Sequence, residues 1–83
     1  MSEKVKQAIE LLTQIIDDRT VPRNIRENAR LAKESLENEK EDLRVRVDKA
    51  IQYLDEISED PNMPVYTRTQ IWSIVSVLES ILS

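Results

Sequence analysis

The sequence predicts an all-α protein, a four-helix bundle made of two antiparallel helical hairpins. Apolar residues recur at three- and four-residue steps in four stretches of the 83-residue chain, which is the spacing of amphipathic helices. Proline-containing or strongly charged segments separate the stretches, and none shows the alternation of a β-strand. This length suits one domain over residues 1–83, with a first hairpin over 1–40 and a second over 41–83.

The first hairpin holds helices 1 and 2. Helix 1 is expected from Glu3 to Asp17, with Ser2 as its cap because the hydroxyl can accept from first-turn amides. Helix 2 is expected to begin at Pro22, since the missing N–H of a proline costs nothing in the first turn. The apolar stripes are Val5, Ala8, Ile9, Leu12, Ile15 and Ile16 on helix 1, and Ile25, Ala29, Ala32 and Leu36 on helix 2.

The second hairpin follows a charged connection at 38–42, where Asp42 is placed to cap helix 3. The segment 60–64, with two prolines, ends helix 3 and starts helix 4. The apolar positions are Leu43, Val47, Ala50, Ile51, Leu54 and Ile57 on helix 3, and Ile71, Trp72, Ile74, Val75, Val77, Leu78, Ile81 and Leu82 on helix 4.

A shift of 42 residues partly overlays the sequence on itself. The match includes apolar helix positions and also the Asp, Pro and Arg of the turn, which two unrelated amphipathic helices would not share. We therefore predict an internal duplication, whose two hairpins pack face to face because neither can bury its apolar side alone. The matched pairs are Val5/Val47, Ala8/Ala50, Ile9/Ile51, Leu12/Leu54, Ile15/Ile57, Asp18/Asp60, Pro22/Pro64, Arg26/Arg68 and Leu36/Leu78.

The amino-acid composition narrows the range of possible functions. The chain has no Cys and no His, which argues against zinc sites and Cys–His or Ser–His nucleophiles. It has no Gly, which argues against phosphate-cradling loops. Sixteen acidic against twelve basic residues disfavour a general affinity for DNA or a membrane surface. We expect no enzyme, cofactor or metal site. With no apolar signal core and no span of about 20 apolar residues, we expect a cytoplasmic protein.

Two segments, 8–26 and 54–72, resemble a small archaeal family of unknown function, uncharacterised protein family 0147. The two proline-containing turns and the Thr-Arg-Thr…Trp stretch at 67–72 are the most specific parts of the resemblance, which covers nearly the whole chain. The resemblance implies a cytoplasmic archaeal protein with a compact four-helix fold. It implies no activity, because the family has none assigned, so it supplies no catalytic residue.

Two arginines are the first candidate site residues. Arg26 and Arg68 each follow a proline by one helical turn, within reach of Asp18 and Asp60 across the turn. The structural interpretation is a pair of charge-assisted bonds that fix the two turns. The functional interpretation is an anion or carboxylate site that uses both arginines. The structural one is favoured, because a constraint of the fold would place the same pair in both hairpins.

Helix 4 supplies the second candidate, since its apolar arc is wider than that of helix 2. Either helix 4 is the most buried member of the bundle, or its Trp72 side is an exposed patch for a partner protein or a second copy of the chain. Tyr66, Trp72 and Val77 are the positions predicted for such a surface.

The favoured function is a non-catalytic protein-interaction or assembly module acting through helix 4, with a homodimer as one form. The alternative is an RNA- or ribosome-associated accessory protein that binds through the arginine-rich face of helix 2, which includes Arg23 and Arg30. Glutamates interleave with these arginines, which favours a solvated face laced with ion pairs.

Overall fold

The computed structural model describes residues 2–83, which form four helices and no strand. Met1, with which the predicted domain starts, lies outside the described residues. The all-α prediction is confirmed. The helices are α1 (Glu3–Ile16), α2 (Arg23–Glu37), α3 (Leu43–Ile57) and α4 (Val65–Leu82).

The helix ends follow local chemistry. The Ser2 hydroxyl accepts a hydrogen bond from the amide of Val5 at 3.2 Å, so the predicted cap of α1 is confirmed. Pro22 and Pro64 occupy the N-cap positions of α2 and α4. Asp42 occupies the same position in α3, but its side chain makes no capping bond to the described residues and the prediction of a side-chain cap is wrong.

The helices form a ring, in which α1 packs on α2 and α4 while α3 packs on the same two helices. Connections of five to seven residues join consecutive helices, and such short loops make them antiparallel neighbours. The bundle measures 33 × 21 × 20 Å. None of the helices in residues 2–83 combines the length and apolar composition needed to cross a membrane.

The core is a single cluster, and its pattern repeats along the chain. Each buried position of the first hairpin falls on a buried position of the second when the sequence is shifted by 42 residues. That coincidence is what a duplication would produce, although the duplication itself stays a prediction. The pairs are Val5/Val47, Ala8/Ala50, Leu12/Leu54, Ile15/Ile57, Val21/Met63, Ile25/Thr67, Ala29/Ile71, Ala32/Ile74 and Leu36/Leu78.

Two of the predicted apolar positions are exposed to solvent. Leu43, at the start of α3, is 37% exposed, and Trp72, on α4, is 61% exposed. The side of α4 that faces the core is formed by Ile71, Ile74 and Leu78 instead. Since these three residues already fill the space between α4 and its neighbours, the indole at position 72 points outward.

Candidate interaction surface

The two turn arginines hold backbone carbonyl groups. Nε of Arg26 donates a hydrogen bond to the carbonyl oxygen of Val21 at 3.0 Å. Arg68 donates through one terminal nitrogen to the carbonyl of Ser58, and through the other to that of Asp60 at 3.0 Å. Ser58 is the C-cap of α3, and the carbonyls at a helix end lack helical partners. The guanidinium groups therefore fix the turns through carbonyl groups.

The carboxylates of the same turns have other partners. Asp18 accepts from the amide and the hydroxyl of Thr20, at 2.9 and 2.6 Å. Asp60 accepts from the side-chain amide of Asn24 at 2.7 Å and from the backbone amide of Asn62 at 2.8 Å. These hydrogen bonds lower the pKa of both carboxyl groups below the ordinary 3.8, and the nearby arginine adds a smaller effect.

The predicted direct pairs Arg26–Asp18 and Arg68–Asp60 are therefore not formed. The ion pairs within residues 2–83 join other residues. The aspartates instead stabilise the folded state above about pH 4, and their contribution is lost as the pH falls through the lowered pKa. The Asn24–Asp60 bond, which ties the first hairpin to the second, was not predicted from the sequence.

One polar cleft of about 640 Å³ lies beside the first turn, lined by Ile16, Asp17, Arg19 and Arg26. Two guanidinium groups in one cleft suit an anion, but Asp17 lies in the same lining and offsets part of their charge. Arg26 is also held by the Val21 carbonyl. The cleft is therefore a weaker candidate than the helix surfaces.

The outward face of α2 is an ion-pair network. Arg30 pairs with Glu27 one turn before it and with Glu34 one turn after it. The two glutamates raise the pKa of Arg30, and Arg30 in turn lowers the pKa of Glu27. This network is the solvated face laced with ion pairs that the interleaved glutamates predicted, and because its charge is matched within the helix, Arg30 offers little attraction to a phosphate.

Over the first twelve residues of α4, the exposed side chains are uncharged and partly apolar. Val65, Tyr66 and Trp72 are 81%, 69% and 61% exposed. Two of the three predicted surface residues, Tyr66 and Trp72, are therefore exposed to solvent. The third, Val77, is half-buried and packs against the core, so it belongs to the side of the helix. Val65 was missed from the sequence, although its spacing of seven residues, two helical turns, from Trp72 placed it on the same face.

We define the α4 outer face as six exposed residues within the first twelve of the helix, none of which carries a formal charge. The α2 outer face is the set related to it by the 42-residue shift, and four of its six residues are charged. The α4 outer face is Val65, Tyr66, Thr69, Trp72, Ser73 and Ser76. The α2 outer face is Arg23, Asn24, Glu27, Arg30, Leu31 and Glu34.

These features define the class: a small four-helix bundle whose α2 outer face is charged and whose α4 outer face is uncharged. The chain belongs to the Uncharacterised protein family (UPF0147), whose model matches residues 1–81. The resemblance stated from the two proline-containing turns is thereby confirmed.

Relatives from archaea match over nearly the whole chain. The UPF0147 protein MJ1419 of Methanocaldococcus jannaschii is 57% identical over 79 residues, which cover 95% of this chain and 85% of the relative. The UPF0147 protein PF0239 of Pyrococcus furiosus is 48% identical over 82 residues, which cover 98% of this chain and 88% of the relative.

Two crystal structures have the same fold. The structure of the unknown function protein MMP1188 superposes with a TM-score of 0.91 at 59% identity, over 94% of this chain and 89% of that one. A protein of the UPF0147 family from Thermoplasma acidophilum superposes with a TM-score of 0.90 at 36% identity, over 94% and 92%.

Proposed function

We propose that the protein is a non-catalytic, cytoplasmic interaction module that binds a protein partner through the α4 outer face. One observation carries the proposal: three large apolar side chains, Val65, Tyr66 and Trp72, are exposed together on one helix, on a face whose other residues are uncharged. Trp and Tyr are the residues most often found as energetic anchors of protein interfaces.

The size of the patch supports this proposal. Tyr and Trp side chains each bury roughly 150–250 Å² when fully covered, so at more than half exposure the two rings and Val65 leave about 300–400 Å² open. A helical side chain covers the turn that precedes its own Cα, so Trp72 extends towards Thr69 and Val65. A patch of this size is at the level where interaction sites are found on small proteins.

The α2 outer face shows that the fold does not need these apolar residues. At the position that corresponds to Trp72, α2 carries Arg30, which bonds to its neighbours on the same helix. The buried positions of the two helices correspond under the same shift. Since a charged residue serves equally well on the outside of α2, we attribute the apolar residues of α4 to binding.

The direction of the pKa shifts also favours a non-catalytic role. The carboxyl groups with shifted pKa values in residues 2–83 are those of Asp18, Glu27 and Asp60, and all three are lowered. A carboxylic acid that works as a general acid near neutral pH needs a raised pKa. These three groups instead serve hydrogen bonds and an ion pair at the surface.

Affinity capture from a lysate of the cells that make the protein tests the proposal. The baits are the tagged wild type, Trp72→Arg, and the control Arg30→Ala, which breaks the α2 network and leaves α4 intact. We expect a protein partner with the wild type and the control, and at least about tenfold less with Trp72→Arg, since losing one anchor costs more than about 1.4 kcal/mol.

Each capture is repeated after nuclease treatment. A partner that survives the nuclease supports the proposal. Recovery that disappears with the nuclease, and is lost with Arg23→Glu combined with Arg30→Glu, would contradict it and favour RNA binding by α2. Circular dichroism of each variant confirms that the comparison is made between folded proteins.

A further inference from the structure

We infer that the occupant of the α4 outer face is the same face of a second copy of the chain, packed antiparallel about a two-fold axis near residues 72 and 73. The inference rests on the proposed function, because it uses the same surface. Three observations lead to this occupant. They are the two charges of α4, the sizes of the side chains on its outer face, and the symmetry of the resulting pair.

The first argument is charge complementarity. The sequence of α4 contains only two charged residues, Arg68 and Glu79. They lie eleven residues apart, which is three turns or about 16 Å, so they share one side of the helix at opposite ends. An antiparallel pair about an axis between residues 72 and 73 places Arg68 of each copy about 3 Å, along the helix axis, from the level of Glu79 of the other. A parallel pair would place like charges together, which is unfavourable.

Arg68 can keep its hydrogen bonds to the turn and also pair with the second copy. Its two terminal nitrogens each donate to one carbonyl, those of Ser58 and Asp60. A guanidinium group has five N–H donors, so further donors remain after these bonds. The carbonyl bonds hold the arginine in place, and less side-chain entropy is then lost when it pairs with Glu79 of the second copy.

The second argument is the sizes of the outward side chains. Trp72 lies in the middle of α4, and the exposed residues around it are small: Thr69, Ser73 and Ser76. About a two-fold axis between residues 72 and 73, Thr69 lies opposite Ser76 of the other copy. Trp72 lies beside the axis and therefore next to Trp72 of the other copy. The two indoles therefore pack against each other across the axis, as aromatic pairs do, and the small side chains around them let the two helices approach closely.

The third argument is symmetry. A two-fold dimer uses the same patch on both subunits, so the patch must complement itself, and this is the commonest arrangement among soluble oligomers. The α4 outer face meets that requirement in the sizes of its side chains, and Arg68 and Glu79 on its flank meet it in charge. The α2 outer face does not, because Arg30 already pairs with Glu27 and Glu34 in its own helix.

The expected affinity is modest. An 18-residue helix is about 27 Å long, and one pair of such helices buries less than the roughly 1,200 Å² of a stable interface. We therefore expect a dimer that forms in the micromolar range or above. Sedimentation equilibrium from about 1 μM to 1 mM covers this range, and the wild type should shift from monomer to dimer while Trp72→Arg stays monomeric.

Single cysteines test the antiparallel register, since the chain has no cysteine of its own. Ser73→Cys places two thiols beside the two-fold axis, where they can form a disulfide. Ser76→Cys separates them by about 10 Å along the axis, beyond disulfide reach. We expect a covalent dimer from Ser73→Cys, at least about tenfold less from Ser76→Cys, and a mixed disulfide when Thr69→Cys and Ser76→Cys are oxidised together.

The outcomes separate this inference from the proposed function. A wild type that remains monomeric up to 1 mM, or a Ser76→Cys that cross-links as readily as Ser73→Cys, overturns the antiparallel dimer. If the monomeric protein still captures a partner that Trp72→Arg loses, the interaction function stands with a different occupant. If neither self-association nor such capture is found, both proposals fail.

Discussion

The outer faces of α2 and α4 differ, although the buried sides of the two helices follow one pattern. Where α2 carries Arg30, tied by ion pairs to its glutamate neighbours, α4 carries an exposed Trp72. Where α2 carries Glu34, α4 carries Ser76. Since both helices pack in the same bundle with different outward residues, the fold does not determine which residues lie on the outside. Packing therefore does not require the exposed apolar side chains of α4, and this agrees with the binding role proposed for them.

The buried sides are also not identical. At two successive turns α2 places Ala29 and Ala32 in the core, whereas α4 places Ile71 and Ile74 at the corresponding positions. Small side chains let a helix backbone approach its neighbours closely, and larger ones fill a wider gap. The two helices thus share their buried positions but differ in the volume placed there, which predicts that residues cannot simply be exchanged between them.

Exchanging the side chains of the matched buried pair Ala32 and Ile74 should have the largest effect on stability. Ile74→Ala removes a fully buried side chain and should lower the free energy of unfolding by about 2–5 kcal/mol, because a cavity remains. The reverse change, Ala32→Ile, should cost about 1–3 kcal/mol through overpacking. Urea unfolding followed by circular dichroism measures both. Losses below about 0.5 kcal/mol in both variants would show that the two buried faces are interchangeable.

Substitution of the turn arginines should lower the free energy of unfolding by a smaller amount, and more for Arg68 than for Arg26. Arg68→Gln removes charge-assisted bonds to two carbonyls, and Arg26→Gln removes a bond to one. At about 1–2 kcal/mol a bond, Arg68→Gln should be the more destabilising by about that amount. Arg30→Gln, on the exposed face of α2, is the control and should leave the unfolding midpoint unchanged. An equal or reversed order for the two turn arginines would contradict the assignment of their partners.

Much of the fold could be predicted because its signals are local. The apolar stripes and the prolines placed all four helices, and helix 1 was expected to end at Asp17, one residue past the observed Ile16. The hydrogen-bond partners were not predictable in the same way. Whether Arg68 meets a carboxylate or a carbonyl depends on how the end of α3 meets the start of α4, and residue spacing does not contain that information.

The candidate surface was predicted in part for a related reason. The sequence of α4 is apolar on more than one side, so periodicity alone cannot decide which side faces inward. The packing of α4 on α1 and α3 decides it: Ile74 faces inward, Val77 lies on the flank, and Trp72 faces out. The predicted surface omitted Val65, although the sequence predicted that helix 4 starts at the segment 60–64, and Val65 is the first residue of α4.

The central claim is that association covers the α4 outer face, and Trp72 reports on it directly because it is the only tryptophan of the chain. Acrylamide quenching of its fluorescence should be measured across the concentrations used for sedimentation. The indole is 61% exposed in the monomer, so the quenching constant should fall at least about twofold as the dimer forms, with emission moving to shorter wavelength. The control Arg30→Ala should behave in the same way. A dimer whose tryptophan stays as accessible as in the monomer, or a signal that does not change with concentration, would contradict the claim.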